Sequence, residues 1–89
     1  MDQAKLDDIV AKAKRFMERE GLAGTTSFEQ VMIGFIVNRG DLIGMHGYTM
    51  VQAIELLDQE WLEILPEAQK QVIGPDLYNR KLYGEDVKK

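Results

Sequence analysis

Residues 28–37, FEQVMIGFIV, place seven large apolar side chains in ten positions. In a chain of 89 residues such a run cannot be a surface element, so it must be buried on more than one side with the remaining segments arranged around it. Ser27 with Gln30 makes a capping-box pattern just ahead of it, which predicts a helix starting near Phe28. On a helical wheel Phe28, Val31, Met32 and Phe35 form one face, and Ile33, Ile36 and Val37 spread the apolar arc onto a second. Two neighbours can therefore pack against it, and Gly34 offers a point where another backbone can approach closely. The rival is a buried strand, because VMIGFIV is short and rich in β-branched residues. The arc is wide for so short a chain, and a second copy completing it as a homodimer is expected.

The flanking segments read as amphipathic helices. In residues 2–20 Leu6, Ile9, Val10, Ala13, Phe16 and Met17 recur at spacings of three and four. Asp8 and Lys12 are placed for a favourable pair one turn apart, and Gly21 stands where a left-handed residue would close the helix. Residues 22–26 read as a loop. Residues 38–48 carry three of the eight glycines and predict a turn, a single helical turn near Asp41, and another turn. Thr49 with Gln52 repeats the capping box and opens a helix over residues 50–65, ending ahead of Pro66. Met50, Ala53, Ile54, Leu57, Trp61, Ile64 and Leu65 share its inner face, with Trp61 as the anchor. Two short pieces open at Pro66 and Pro75 and close at Gly74 and Gly84, so that Val72, Ile73, Leu77, Tyr78, Leu82 and Tyr83 cover the open side of the core. The expectation is one all-α domain over residues 1–89, a small orthogonal bundle of four to five helices around a buried central helix at about residues 28–38, with a frayed tail at 85–89.

Composition narrows the function classes. There is no cysteine, hence no disulfide framework and no thiolate metal site. The first ten residues mix acids and bases where a secretion signal needs a basic start and an apolar run, and no apolar run approaches the roughly 20 residues that cross a bilayer. A cytoplasmic protein without membrane association is expected. A net charge of −4 disfavours nucleic acid as a partner, since such binding rests on Lys and Arg neutralising phosphates.

The strongest asymmetry lies in residues 49–68, which carry Glu55, Asp58, Glu60, Glu63 and Glu67 but no Lys or Arg. Leu56 and Leu62 fall off the inner face among these acids, and apolar side chains rimmed by charge resemble a contact patch. These seven residues are the candidate partner-binding set. They point to a non-enzymatic protein-interaction module, an adaptor, regulator or inhibitor that offers an acidic amphipathic helix to a basic protein partner. One version is an inhibitor competing for the basic surface of a nucleic-acid-handling protein.

Other chemistries lack a constellation. Glu60, Glu63 and Glu67 share a helix side, but helical di-iron sites pair Glu with His three residues on, and no such pair occurs. The glycines of residues 38–48 match neither GxGxxG nor GxxxxGK[ST], and Ser27, the only serine, is explained as a helix cap. No catalytic residue, metal or cofactor is assigned. Two alternatives remain: a nucleic-acid-binding regulator using Arg80 and Lys81 with the basic positions of the first helix, and a small ligand-binding or enzymatic domain around His46, Asp41 and Tyr48.

Overall fold

The computed structural model describes residues 1–78 and is entirely helical over that span. Its elements are α1 (Gln3–Met17), α2 (Ser27–Ile36), α3 (Gly40–Gly44), α4 (Met50–Ile54), α5 (Gln59–Ile73) and α6 (Pro75–Tyr78). The strand alternative for residues 28–37 is thereby removed. Arg80, Lys81, Leu82, Tyr83, Gly84 and the tail at 85–89 lie outside the described residues.

Helix α1 is capped by the Asp2 carboxylate, which accepts from the Lys5 amide, and carries Lys14 and Arg15 in its last turn, where cations favour the helix dipole. It stops short of the expected end at Glu20. Arg19 adopts the left-handed conformation (φ 66°), the Arg19 amide donates to the Phe16 carbonyl, and the Glu20 amide donates to the Arg15 carbonyl. This is a Schellman closure with arginine where glycine is usual, so Gly21 is not the closing residue. One consequence is that Met17, expected on the inner face, is exposed.

Helix α2 begins one residue earlier than the sequence suggests. Its capping box is Thr26 with Glu29, each side chain bonding the other's backbone amide, and Gln30 is left for another task. The same Schellman pattern ends it, with Asn38 left-handed (φ 58°) and the Arg39 amide donating to the Gly34 carbonyl at 2.8 Å. That turn folds α3 back onto α2 at Gly34. A Cβ there would lie 3.0 Å from the Arg39 carbonyl oxygen and from Ile43 Cγ1, so the absence of a side chain is what allows the crossing.

The expected helix over residues 50–65 is two helices. After Ile54 the chain tightens: the Glu55 amide bonds back to Val51 and Gln52, Leu56 to Ala53 and Leu57 to Ile54. Asp58 then caps a new helix by accepting from the Trp61 amide at 2.9 Å. Pro66 does not end α5 but sits inside it, exposed to solvent. Proline cannot supply the amide that would bond Leu62, yet helix continuation buries Ala68 and half-buries Val72, which offsets that loss. Residues 66–73 are thus the second half of α5. Gly74 (φ 92°) ends it and Pro75 opens α6 as expected.

Six helices stand among the described residues where four to five were expected: the α4–α5 break adds one, the run through Pro66 removes one, and the single turn at Asp41 is long enough to count as α3. The core is one cluster built from Leu6, Ile9, Val10 and Ala13 of α1, Val31 to Ile33 and Ile36 of α2, Leu42 and Ile43 of α3, Ala53 of α4, and Trp61, Ile64 and Ala68 of α5. Helix α5 packs along α1 and against α2, while α3 covers the other side of α2. The Gln69 amide nitrogen donates to the Phe35 and Ile36 carbonyls, both at 3.1 Å, and satisfies the end of α2 from α5. The wide apolar arc of α2 is therefore covered within one chain, and the reason for expecting a homodimer there is gone.

Candidate docking surface

Packing of α4 is lopsided. Its extensive contact is with α3 alone, and of its residues only Ala53 is buried. Met50 is 48% exposed, Val51 67% and Ile54 51%, so three of the five residues of MVQAI are large, apolar and at least about half in solvent. Met50 and Ile54 were expected on the inner face, an assignment that needed one unbroken helix to carry their phase into α5. With the chain turning at residues 55–57, the orientation of α4 is independent of that of α5. Met50 with Ile54, and Val51 with Ile54, are one turn apart and form a continuous outward row.

The candidate residues are distributed over this break. Glu55 is the C-cap residue of α4 and is exposed; Leu56, on the following turn, is 38% exposed. Asp58 is occupied as the cap of α5. Glu60 is ion-paired with Lys5, and that hydrogen bond raises the Lys5 ammonium above its ordinary value. Leu62 is 49% exposed and Glu63 is exposed, while Glu67 is half-buried. Leu56 and Leu62 thus both face solvent, but on different elements. Glu55 and Glu63 join no ion pair among the described residues.

Sequence reasoning missed Met50, Val51 and Ile54 as surface residues. The available signal was Asp58, a good N-cap residue three positions ahead of Trp61, which marks a second helix start inside the supposed single helix.

In the alternative centre around His46, Asp41 and Tyr48, both His46 and Asp41 bond other side chains. The His46 ring Nε2 lies 2.7 Å from Gln30 Oε1, Gln30 Nε2 donates to Thr25 Oγ1, and the Thr25 hydroxyl donates to the Leu22 carbonyl. This chain ties the loop after α3 to the loop before α2. Asp41 is held instead by Arg39 in a two-pronged pair at 2.9 and 2.8 Å. No three His, Cys, Asp or Glu side chains converge to hold a metal ion among the described residues, and no helix among them is long and apolar enough to cross a membrane. On α1, Lys12 bonds both Asp8 and Glu29, leaving Lys14 and Arg15 as the exposed cations of that helix, with Arg19 exposed just beyond its end. A groove of about 570 Å³ of mixed polarity lies between Met17, Val37, Ile73 and Leu77, with Asn38, Gln69 and Tyr78 also lining it. Comparison of the chain with family models, with curated proteins and with solved structures returned no match.

Proposed function

We propose that this protein is a small non-enzymatic interaction module, an adaptor, regulator or inhibitor, that docks a protein partner at α4 and the turn leading into α5. The observation that carries the reading is the outward row Met50, Val51 and Ile54, followed directly by exposed Glu55 and Leu56. Water contact with such a row is unfavourable by roughly 25 cal/mol for each Å² that a partner could cover. Ala53 alone anchors the helix to the core. A nucleic-acid partner is less favoured because Lys5 and Lys12 are already committed to carboxylates.

The test is affinity capture from native lysate after nuclease treatment, run in parallel with wild type, Val51→Asp, Leu56→Asp and Leu62→Asp. A stoichiometric protein retained by wild type and lost by Val51→Asp and Leu56→Asp, with helical content unchanged, is the expected result. Capture indifferent to all three substitutions would refute the docking surface.

A further inference from the structure

We infer that the occupant of the α4 surface is a basic amphipathic helix of the partner; this rests on the docking reading above and adds the chemistry of what docks. Three observations lead there. The first is charge. Residues 49–69 contain five acids and no Lys or Arg, and of these acids Glu55 stands immediately after the apolar row, unpaired among the described residues and exposed. A cationic rim on the partner complements it, whereas a second copy of this chain would bring Glu55 toward like charge.

The second is size. The row offers apolar surface on the order of a few hundred Å², enough for one face of a short helix, while a stable pair of domains covers about 800 Å² on each side. Area and charge together disfavour self-association as the use of this face. The third is shape. There is no strand among the described residues, so no sheet edge invites an extended peptide, and recognition must work through side chains. A row at i, i+1 and i+4 meets the ridge of another helix, and the unbranched Met50 side chain can adjust to it. Glu55 also occupies the C-terminal end of α4, where an acid opposes the local dipole. An incoming cation would find the carboxylate there, the carbonyls of residues 51–54 being already bonded by the amides of residues 55–57.

The experiment uses the whole protein and a fluorescein-labelled synthetic helix of about 18 residues, Leu on one face and Lys on the other, with a twin bearing Glu for every Lys. Anisotropy titrations at about 50 and 300 mM salt, where screening differs, should give affinity for the Lys peptide that falls several-fold with salt and is at least about tenfold above that of the Glu twin. Val51→Asp should weaken the Lys peptide about tenfold, and Glu55→Lys about three- to tenfold, each at wild-type helicity. Glu55→Lys places a favourable cation at a helix end, so it reads binding without risk to the fold. Equal affinity for the two peptides, or binding of the Lys peptide untouched by both substitutions, overturns the inference. So does a dimer in sedimentation of the protein alone that Val51→Asp dissolves, since the row would then belong to a second copy. If the Lys peptide fails to bind while capture from lysate remains sensitive to Val51→Asp, the basic helix falls and the docking surface stands. Insensitive capture removes the docking surface itself.

Discussion

Phe28 and Trp61 meet edge to face, their ring centroids 5.4 Å apart and their planes inclined at 65°. The pair joins the first turn of α2 to the first turn of α5, and Lys5 of α1 places its ammonium 5.6 Å from the Trp61 ring centre. Three helices thus meet at one indole. Trp61→Ala should cost about 3–5 kcal/mol, most of the stability of a domain this small. Urea melts followed by circular dichroism check it, and a double-mutant cycle with Phe28→Leu should give a coupling of about 0.5–1.5 kcal/mol. An unchanged midpoint for Trp61→Ala would contradict the placement of α5.

Gly34→Ala sets two effects against each other. Alanine gains about 1 kcal/mol of helix propensity, but its Cβ would press on the Arg39 carbonyl and Ile43 Cγ1 at 3.0 Å and on Leu42 Cβ at 3.2 Å. Overpacking against backbone costs roughly 1–3 kcal/mol, so a net loss is expected. In an Ile43→Ala background, which lacks Cγ1, Gly34→Ala should cost less than in wild type, read by thermal melts of the four proteins of the cycle.

Arg19→Gly should stabilise. The left-handed closure of α1 is strained for arginine and free for glycine, and the side chain is exposed, so a gain of about 0.5–1 kcal/mol is expected in a chemical melt. A loss would mean that the Arg19 side chain makes a contribution that its exposure does not suggest.

Glu29 links pH to stability. Burial pushes its carboxyl up, but hydrogen bonds from Lys12 and the Thr26 amide, with the Lys12 charge, outweigh this and hold it below the ordinary value. A lowered carboxyl favours the folded state above the ordinary glutamate range of about 4.3 and loses that favour as pH falls through the lower folded value. Glu29→Gln keeps the capping-box hydrogen bond and removes the charge. It should therefore cost about 1 kcal/mol at neutral pH, with the gap to wild type closing as pH falls through the lowered folded value. Melts across pH 2–7 test this, and a gap independent of pH would sink it.

Pro66→Ala restores the amide that the Leu62 carbonyl lacks, at an exposed position where no packing is lost. The gain should be at least about 1 kcal/mol after allowing for the more flexible unfolded chain. Should the variant melt lower than wild type, the proline ring must itself serve the packing of Ala68 and Gln69.

Elements that rest on side chains speaking to their own backbone were readable in advance. The Thr49–Gln52 box, the Asp8–Lys12 pair, the turn of helix at Asp41 and the close approach at Gly34 all appear as the residues suggest. The α2 cap shifted by one residue because Thr26, Ser27, Glu29 and Gln30 offer two overlapping boxes of nearly equal local energy, and Gln30 finds a better use in bonding His46 and Thr25. The candidate surface was half readable. The acids and the exposure of Leu56 and Leu62 follow from their places off the inner face, and Val51 lies off it too, whereas Met50 and Ile54 could not be told from core residues by apolar spacing.

By itself the sequence determined that the segments flanking residues 28–37 are helical, where the apolar periodicity lies, and that residues 28–37 occupy the centre, since these depend on hydrogen bonds and spacings within a few residues; that residues 28–37 form a helix and not a strand came with the tertiary structure. Only the tertiary structure decided that α4 and α5 part at Glu55 and that α5 runs through Pro66. Both outcomes turn on burial. Placing Trp61, Ile64 and Ala68 of α5 against α1 and α2 removes far more apolar surface from water than aligning the few residues of α4 would, so α4 yields its direction and leaves its apolar row outside.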